Sequence, residues 1–220
     1  MKCTLCKGKT TEFFRKENRK YIRCQNCKAV LLHPGDYITT SAEKERYLEH
    51  NNDVSDPRYQ NFVDPIICRV LQDFANTTSG LDYGCGTGPV AATELHKHSY
   101  EINLYDPYFE NHPKVLEETY DFIICCEVME HFHNPFEEFK RLYELLNPGG
   151  KLYCKTSIFY ESIDFNRWYY KNDPTHVFFY SEESLEWIKE KVGFENLEIT
   201  PKLIVFEKKY CPTSTWILEL

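Results

Sequence analysis

Three groups of residues in this 220-residue chain have types and spacings that can do chemistry. The first is Cys3-x-x-Cys6 and Cys24-x-x-Cys27, two thiol pairs with 17 residues between them. Each CxxC turn aims two sulfurs at one point, and four thiolates close a tetrahedron around Zn²⁺ at about 2.3 Å. A closed set leaves no open coordination position, so this zinc is expected to be structural. The second is Asp82-Tyr83-Gly84-Cys85-Gly86-Thr87-Gly88, whose glycines let the backbone turn tightly and approach a ligand with no Cβ in the way. The spacing is not G-x-G-x-x-G, which weakens a phosphate-binding reading. Asp106, 18 residues beyond Gly88, offers a carboxylate able to accept from both hydroxyls of a ribose. The third is Glu127-Val128-Met129-Glu130-His131, joined downstream by His176 in Asp173-Pro174-Thr175-His176. Two carboxylates and two imidazoles make a mixed O/N set suited to a divalent ion such as Mg²⁺ or Mn²⁺.

The elements that must position these groups are legible in outline. Residues 1–33 read as a zinc ribbon, with Gly8 after the first knuckle and the β-rich Tyr21-Ile22-Arg23 before the second. Residues 34–56 read as a linker with one short helix over 43–50, opened by a Thr40/Glu43 capping box. Apolar residues from Phe62 to Phe74 recur at helical spacing, giving a helix from Pro57. Strands are then expected over 80–83, 101–105, 120–126, 151–155, 194–200 and 203–208, with helices over 89–97, 135–146 and 182–192. Asn134 is the expected cap and Pro135 the first residue of the second helix, and Ser181 and Gly193 bound the third. This βαβ rhythm implies an α/β, Rossmann-like, doubly wound and mostly parallel sheet over residues 57–209. Loops at the carboxyl ends of such strands line the active site, which places Glu127, Glu130 and His131 together. The stretch 210–220 fits no element.

With these residues in view, 57–208 resembles the class I S-adenosylmethionine methyltransferases, close to the broad Methyltransf_23-type group. The D-x-G-C-G-T-G run is similar to that family's cofactor loop. Tyr120-Asp121-Phe122-Ile123-Ile124 resembles its fourth strand, and Leu146-Asn147-Pro148-Gly149-Gly150-Lys151-Leu152 the turn into its fifth. The resemblance implies S-adenosyl-L-methionine as cofactor, with Gly84, Gly86 and Gly88 beside its methionine part, Asp106 on its ribose, and Asp82 and Cys85 in the same loop. Only 13 residues separate Asp106 from Tyr120, too few for the family's usual helix and third strand. That strand is expected to be missing, together with an acidic contact to the adenine amine. The E-x-x-E-H run resembles two groups of this superfamily, the RNA 3′-terminal 2′-O-methyltransferases and the ubiquinone-pathway O-methyltransferases. Both imply a metal held by Glu127, Glu130 and His131, with His176 completing the set in the RNA case. Such an ion chelates a vicinal diol or catechol and lowers the pKa of the attacking hydroxyl. The residues themselves leave open a metal-free general base, His131 or His176, and a purely structural role.

Composition bounds the rest. Hydrophobic residues make up 42 % of the chain, which suits a globular enzyme, and no apolar run approaches a membrane span. Without an apolar N-terminal leader the protein is expected in the cytoplasm, where short-spaced cysteine pairs bind metal more often than they form disulfides. The other six cysteines (Cys68, Cys85, Cys125, Cys126, Cys154, Cys211) read as small buried hydrophobes. Residues 1–30 hold nine Lys/Arg against two Glu in a chain of net charge −8, so a basic ribbon adjoins an acidic body. Such a ribbon suits either RNA or docking on its own body. Nine aromatics between Phe159 and Tyr180 suit stacking on an acceptor base or ring, or a lid's own core. The acceptor is thus RNA or a small molecule. From another class, a non-catalytic cofactor- and nucleic-acid-binding module fits the same sequence, although the Glu/His cluster favours catalysis.

Overall fold

The computed structural model describes residues 1–49 and 52–210. Its ribbon is a three-stranded antiparallel sheet of β1 (Thr10–Lys16), β2 (Arg19–Cys24) and β3 (Val30–Leu32). Two helices follow, α1 (Thr40–Leu48) and α2 (Pro57–Asp73), and then the α/β body. The body contains β4 (Gly80–Tyr83), α3 (Val90–His96), β5 (Ile102–Tyr105), β6 (Tyr120–Cys126), α4 (Pro135–Leu145) and β7 (Leu146–Lys155). It is completed by β8 (Phe178–Phe179), α5 (Glu182–Ile188), β9 (Phe194–Ile199) and β10 (Ile204–Lys208).

The body's six-stranded sheet has the order β5-β4-β6-β7-β10-β9. The four strands from β5 to β7 are parallel, and β10 runs antiparallel to both of its neighbours. The order reverses beside β4, so the carboxyl ends of β4, β5 and β6 open a crevice at the switch point. Between β5 and β6 the described chain makes only a short 3₁₀ turn, Pro113–Glu117, so β5 is the sheet edge and the family's third strand is missing, as expected. One face of the sheet buries Val63, Ile66 and Val70 of α2 with Val90 and Leu95 of α3 against Phe122 and Ile124. The other buries Phe139 and Leu142 of α4 and Leu185 and Ile188 of α5.

The ribbon belongs to that second core. Leu5, Tyr21, Ile22 and Leu31 lie in one apolar cluster with Ile123, Phe139 and Leu185. Strand β3 pairs with β8, Val30 opposite Phe179 and Leu31 opposite Phe178, so the body supplies the ribbon's fourth strand. Phe13, Phe14 and Tyr21 meet Phe165 edge-on with ring centroids 5.2, 5.4 and 5.1 Å away. Each such pair is worth about 0.5–1.5 kcal/mol beyond the area it buries. The Arg23–Glu161 ion pair, whose Glu side chain is 72 % exposed, adds about 0–1 kcal/mol. Packing, not charge, holds the ribbon to the body.

Several local expectations change. Helix α1 is capped by Thr39, whose Oγ1 accepts from the Ala42 amide at 3.3 Å, so it begins before the expected Thr40/Glu43 box and Glu43 is released for a tertiary role. Asn134 makes no side-chain cap, although Pro135 does open α4. Helix α5 ends at Ile188 and relaxes into a π turn, Lys189–Gly193, closed by Gly193 at φ +103°. Cys68 is exposed and Cys126 half-buried, because α2 turns Cys68 outward and β6 ends at the crevice. His50, Cys211 and nearly all of the 210–220 tail lie outside the described residues. None of the described helices is long and apolar enough to cross a membrane.

Candidate active site

A cleft of about 860 Å³ opens at the carboxyl ends of β4, β5 and β6. It is lined by Asp82, Gly84, Cys85, Gly86, Gly88 and Asp106, and on its other wall by Glu127, His131 and His176. All the residues expected at the cofactor therefore share one space with three of the four expected at the chemistry. Its volume is in the range of sites that enclose small ligands, about 300–1,000 Å³.

The glycine loop is built for close approach. Gly84 sits at φ +82°, and a Cβ there would lie 2.5 Å from Val128 Cγ2. A Cβ on Gly88 would lie 1.8 Å from the Asn52 carbonyl oxygen, so the chain before α2 rests directly on the loop. The Gly84 amide donates to the Tyr105 carbonyl at 2.7 Å, tying the loop to the end of β5. Asp106 follows that end. Its Oδ1 accepts from the Tyr108 and Phe109 amides at 2.8 and 3.1 Å, and its Oδ2 from the Gly86 amide at 3.1 Å. These bonds fix the carboxylate at the mouth of the loop. Asp82 is buried beneath it, and burial pushes its carboxyl up to about 7, with the Ala92 amide opposing and the Asp106 charge adding.

The opposite wall starts with Glu127 at φ +53°, a left-handed turn that costs a non-glycine residue roughly 1–2 kcal/mol. Its amide donates to the Lys155 carbonyl at 2.8 Å, and the chain then curls into a 3₁₀ turn, Met129–His131. The curl sends Glu130 into the interior, with no exposed surface, and leaves His131 beside it. His176 arrives from the segment before β8. Ligand atoms of Glu130, His131 and His176 lie within 4.8 Å of one another, and both Nε2 atoms are 3.9 Å from Glu130 Oε1. His131 Nδ1 is 3.0 Å from the Thr175 carbonyl and His176 Nδ1 2.7 Å from the Tyr170 carbonyl. A carbonyl oxygen only accepts, so both Nδ1 atoms carry a proton and both Nε2 atoms face Glu130. Glu127 falls outside this trio, and its Oε2 lies 3.3 Å from the Tyr170 hydroxyl. Burial raises both carboxyls above the usual range, and the Glu130 charge raises Glu127 further.

In the ribbon, Cys3, Cys6, Cys24 and Cys27 place their sulfurs within 4.8 Å of one another. The Cys3–Cys27 and Cys6–Cys24 separations are 3.8 and 3.3 Å, against about 3.8 Å for a tetrahedral zinc site. Lys7 and Lys28, each just after a knuckle's second cysteine, take left-handed φ of 58° and 61°. The Gly8 and Asn26 amides point at Cys6 and Cys24 sulfurs at 3.4 Å, and a Cβ on Gly8 would lie 3.1 Å from both of those sulfurs.

Sequence reasoning missed the third wall. The cleft is also lined by Glu43 and Tyr47 of α1, and by Tyr59 and Phe62 of α2. Glu43 accepts from the Tyr47 and Tyr108 hydroxyls at 2.8 and 3.0 Å, joining α1 to the Asp106 loop. Arg46 joins α1 to the other wall through Asp173 at 2.7 Å. The expected aromatics do not line the cleft: Phe159, Phe165, Tyr170, Phe178, Phe179 and Tyr180 are buried in the ribbon–body core, and Tyr169 is exposed. The amphipathic pattern of 57–74 was a visible signal for α2, but not for which side of it meets a ligand.

Comparison with known proteins agrees with this geometry. Ubiquinone biosynthesis O-methyltransferase of Pseudomonas savastanoi pv. phaseolicola is 27 % identical over 82 residues, 36 % of this chain and 34 % of that protein. The enzyme of the same name from Cronobacter sakazakii is 32 % identical over 89 residues, 40 % of this chain and 35 % of that protein. The chain thus matches about a third of the length of these curated relatives. An O-methyltransferase family protein from Burkholderia thailandensis shares the fold at 10 % identity, covering 78 % of this chain and 64 % of that one with a TM-score of 0.54. The profile of the Methyltransf_23 methyltransferase domain matches residues 56–199, most of the chain, and by that match the protein belongs to this family of class I S-adenosylmethionine-dependent methyltransferases.

Proposed function

We propose that this protein transfers the methyl group of S-adenosylmethionine to an acceptor oxygen, beside a divalent ion held by Glu130, His131 and His176, with a separate structural zinc in the ribbon. The observation that carries the reading is the shared cleft: the glycine loop and Asp106 on one wall, Glu127, His131 and His176 on the other. The relatives named as O-methyltransferases support oxygen as the acceptor atom.

The residues fit both metals. Glu130 Oε2 is buried with no hydrogen-bond partner among the described residues, a costly state for a carboxylate oxygen that a cation relieves. Donors about 2.1 Å from one ion are roughly 3–4 Å apart, and the imidazole-to-carboxylate distances of 3.9 Å lie in that range. Four cysteines with a glycine packed against two of their sulfurs suit Zn²⁺, which would fasten β1–β3 without taking part in chemistry.

S-adenosylmethionine supplies an electrophilic methyl on a sulfonium, and a divalent ion supplies Lewis acidity that makes an acceptor hydroxyl easier to deprotonate. The chain supplies position. Asp106 holds the ribose, the glycines admit the methionine portion, and Tyr47, Tyr59 and Phe62 exclude water over the cleft. With the ion bound, the Nε2 of His131 would be one of its ligands and would not act as a base. A metal-free mechanism rests instead on the Nδ1-protonated tautomer, with His131 or His176 as the base. A vicinal diol or catechol-like acceptor, in RNA or a small molecule, suits the metal reading. Calorimetric titration with S-adenosylhomocysteine tests the cofactor half: one-site binding is expected, and its absence would overturn the proposal.

A further inference from the structure

Tyr170 was one aromatic among nine in the sequence, yet it touches every member of the Glu127–Glu130–His176 group. Its hydroxyl is 2.6 Å from Glu130 Oε1, 3.3 Å from Glu127 Oε2 and 2.9 Å from Thr156 Oγ1. A phenol has one proton, and the shortest contact takes it, so Thr156 donates to the phenolic oxygen and Tyr170 donates to Glu130. Its backbone carbonyl accepts the Nδ1 proton of His176 at 2.7 Å, and its ring packs against that imidazole with centroids 4.2 Å apart. The residue is buried, absent from the cleft lining, and packed against Trp168 and Phe179. It therefore touches the groups of the site and not what the cleft would contain.

We propose that Tyr170 is the positioning residue of this site, resting on the reading of Glu130, His131 and His176 given above. Its hydroxyl sets where Glu130 Oε1 sits against the two Nε2 atoms, and its carbonyl sets the tautomer of His176. Outer partners of this kind orient ligands, and their loss weakens metal binding about 10–100-fold.

Tyr170→Phe keeps the ring and the carbonyl and removes only the hydroxyl. Mn²⁺ alone is the probe, titrated into the zinc-loaded full chain and followed by the resonance of the free ion. Its affinity is expected to fall about 10–100-fold in Tyr170→Phe, with S-adenosylhomocysteine binding changed less than about twofold. Tyr169→Phe, at a residue 73 % exposed, is expected to alter neither. In protein without added Mn²⁺, the imidazole ¹⁵N resonances of His131 and His176 are expected to move in Tyr170→Phe and to stay in place in Tyr169→Phe. A wild type that does not bind Mn²⁺ overturns the metal reading, and the histidine resonances then decide on Tyr170. Unmoved resonances, or unchanged Mn²⁺ affinity in a site that binds it, overturn the positioning role.

Discussion

The Val177 amide donates to the Glu130 carbonyl at 3.0 Å, one residue beyond His176. The Val177 carbonyl in turn accepts from the Leu32 amide at 2.9 Å, so ribbon, His176 segment and Glu130 are three consecutive rungs. The ribbon thus buttresses the segment that carries His176, although none of its residues lines the cleft. Cys24→Ser is therefore expected to remove the zinc, about one per chain, and to loosen the distant site with it. Metal analysis and amide exchange check this, with exchange at Val177 rising more than about tenfold. Full zinc content in Cys24→Ser would remove the ribbon site, and unchanged exchange would remove the coupling.

Asp106→Ala is expected to weaken S-adenosylmethionine binding by roughly 1.5–3 kcal/mol, the scale of hydrogen bonds to a charged group. Calorimetry measures the loss, and thermal unfolding separates it from damage to the 106–109 turn that the same carboxylate caps. Equal affinity in wild type and variant would remove Asp106 from the ribose.

Asp82 makes stability depend on pH. Its folded carboxyl titrates near 7 and its unfolded one near about 3.9, so between these values the folded state keeps a proton the unfolded state has lost. The penalty is absent below about pH 4, grows through the interval and is complete above 7, at most about 4 kcal/mol. Asp82→Asn is expected to melt higher than wild type at pH 8, with the gap closing by pH 4. Denaturant unfolding across this range checks it, and a pH-independent gap contradicts it.

What was legible in the sequence was local. CxxC knuckles, the strand–glycine loop–helix unit and the short Asp106–Tyr120 interval are defined by neighbours in the chain, and each appears where expected. The convergence of the strands' carboxyl ends also set Glu127, Glu130 and His131 at one place, with His176 expected to fold back over it, and of these Glu130, His131 and His176 do meet. The rest depended on contacts between distant segments. Nothing local tells that Tyr47 and Tyr59 face the cleft while Phe165 and Phe179 plug the ribbon. The left-handed turn at Glu127 separates it from the trio, and an E-x-x-E-H pattern does not announce such a turn.

Labelled methyl transfer from S-adenosylmethionine, into total cell RNA and into a small-metabolite extract, tests the central claim most directly. It is run with added Mg²⁺ or Mn²⁺ and after mild chelation that spares the ribbon zinc. Incorporation is expected in one of the two acceptor pools, only with added divalent ion, and to vanish in Glu130→Ala and His131→Ala while both still bind the cofactor. Full incorporation in chelator, with zinc intact and Glu130→Ala as active as wild type, would contradict the account.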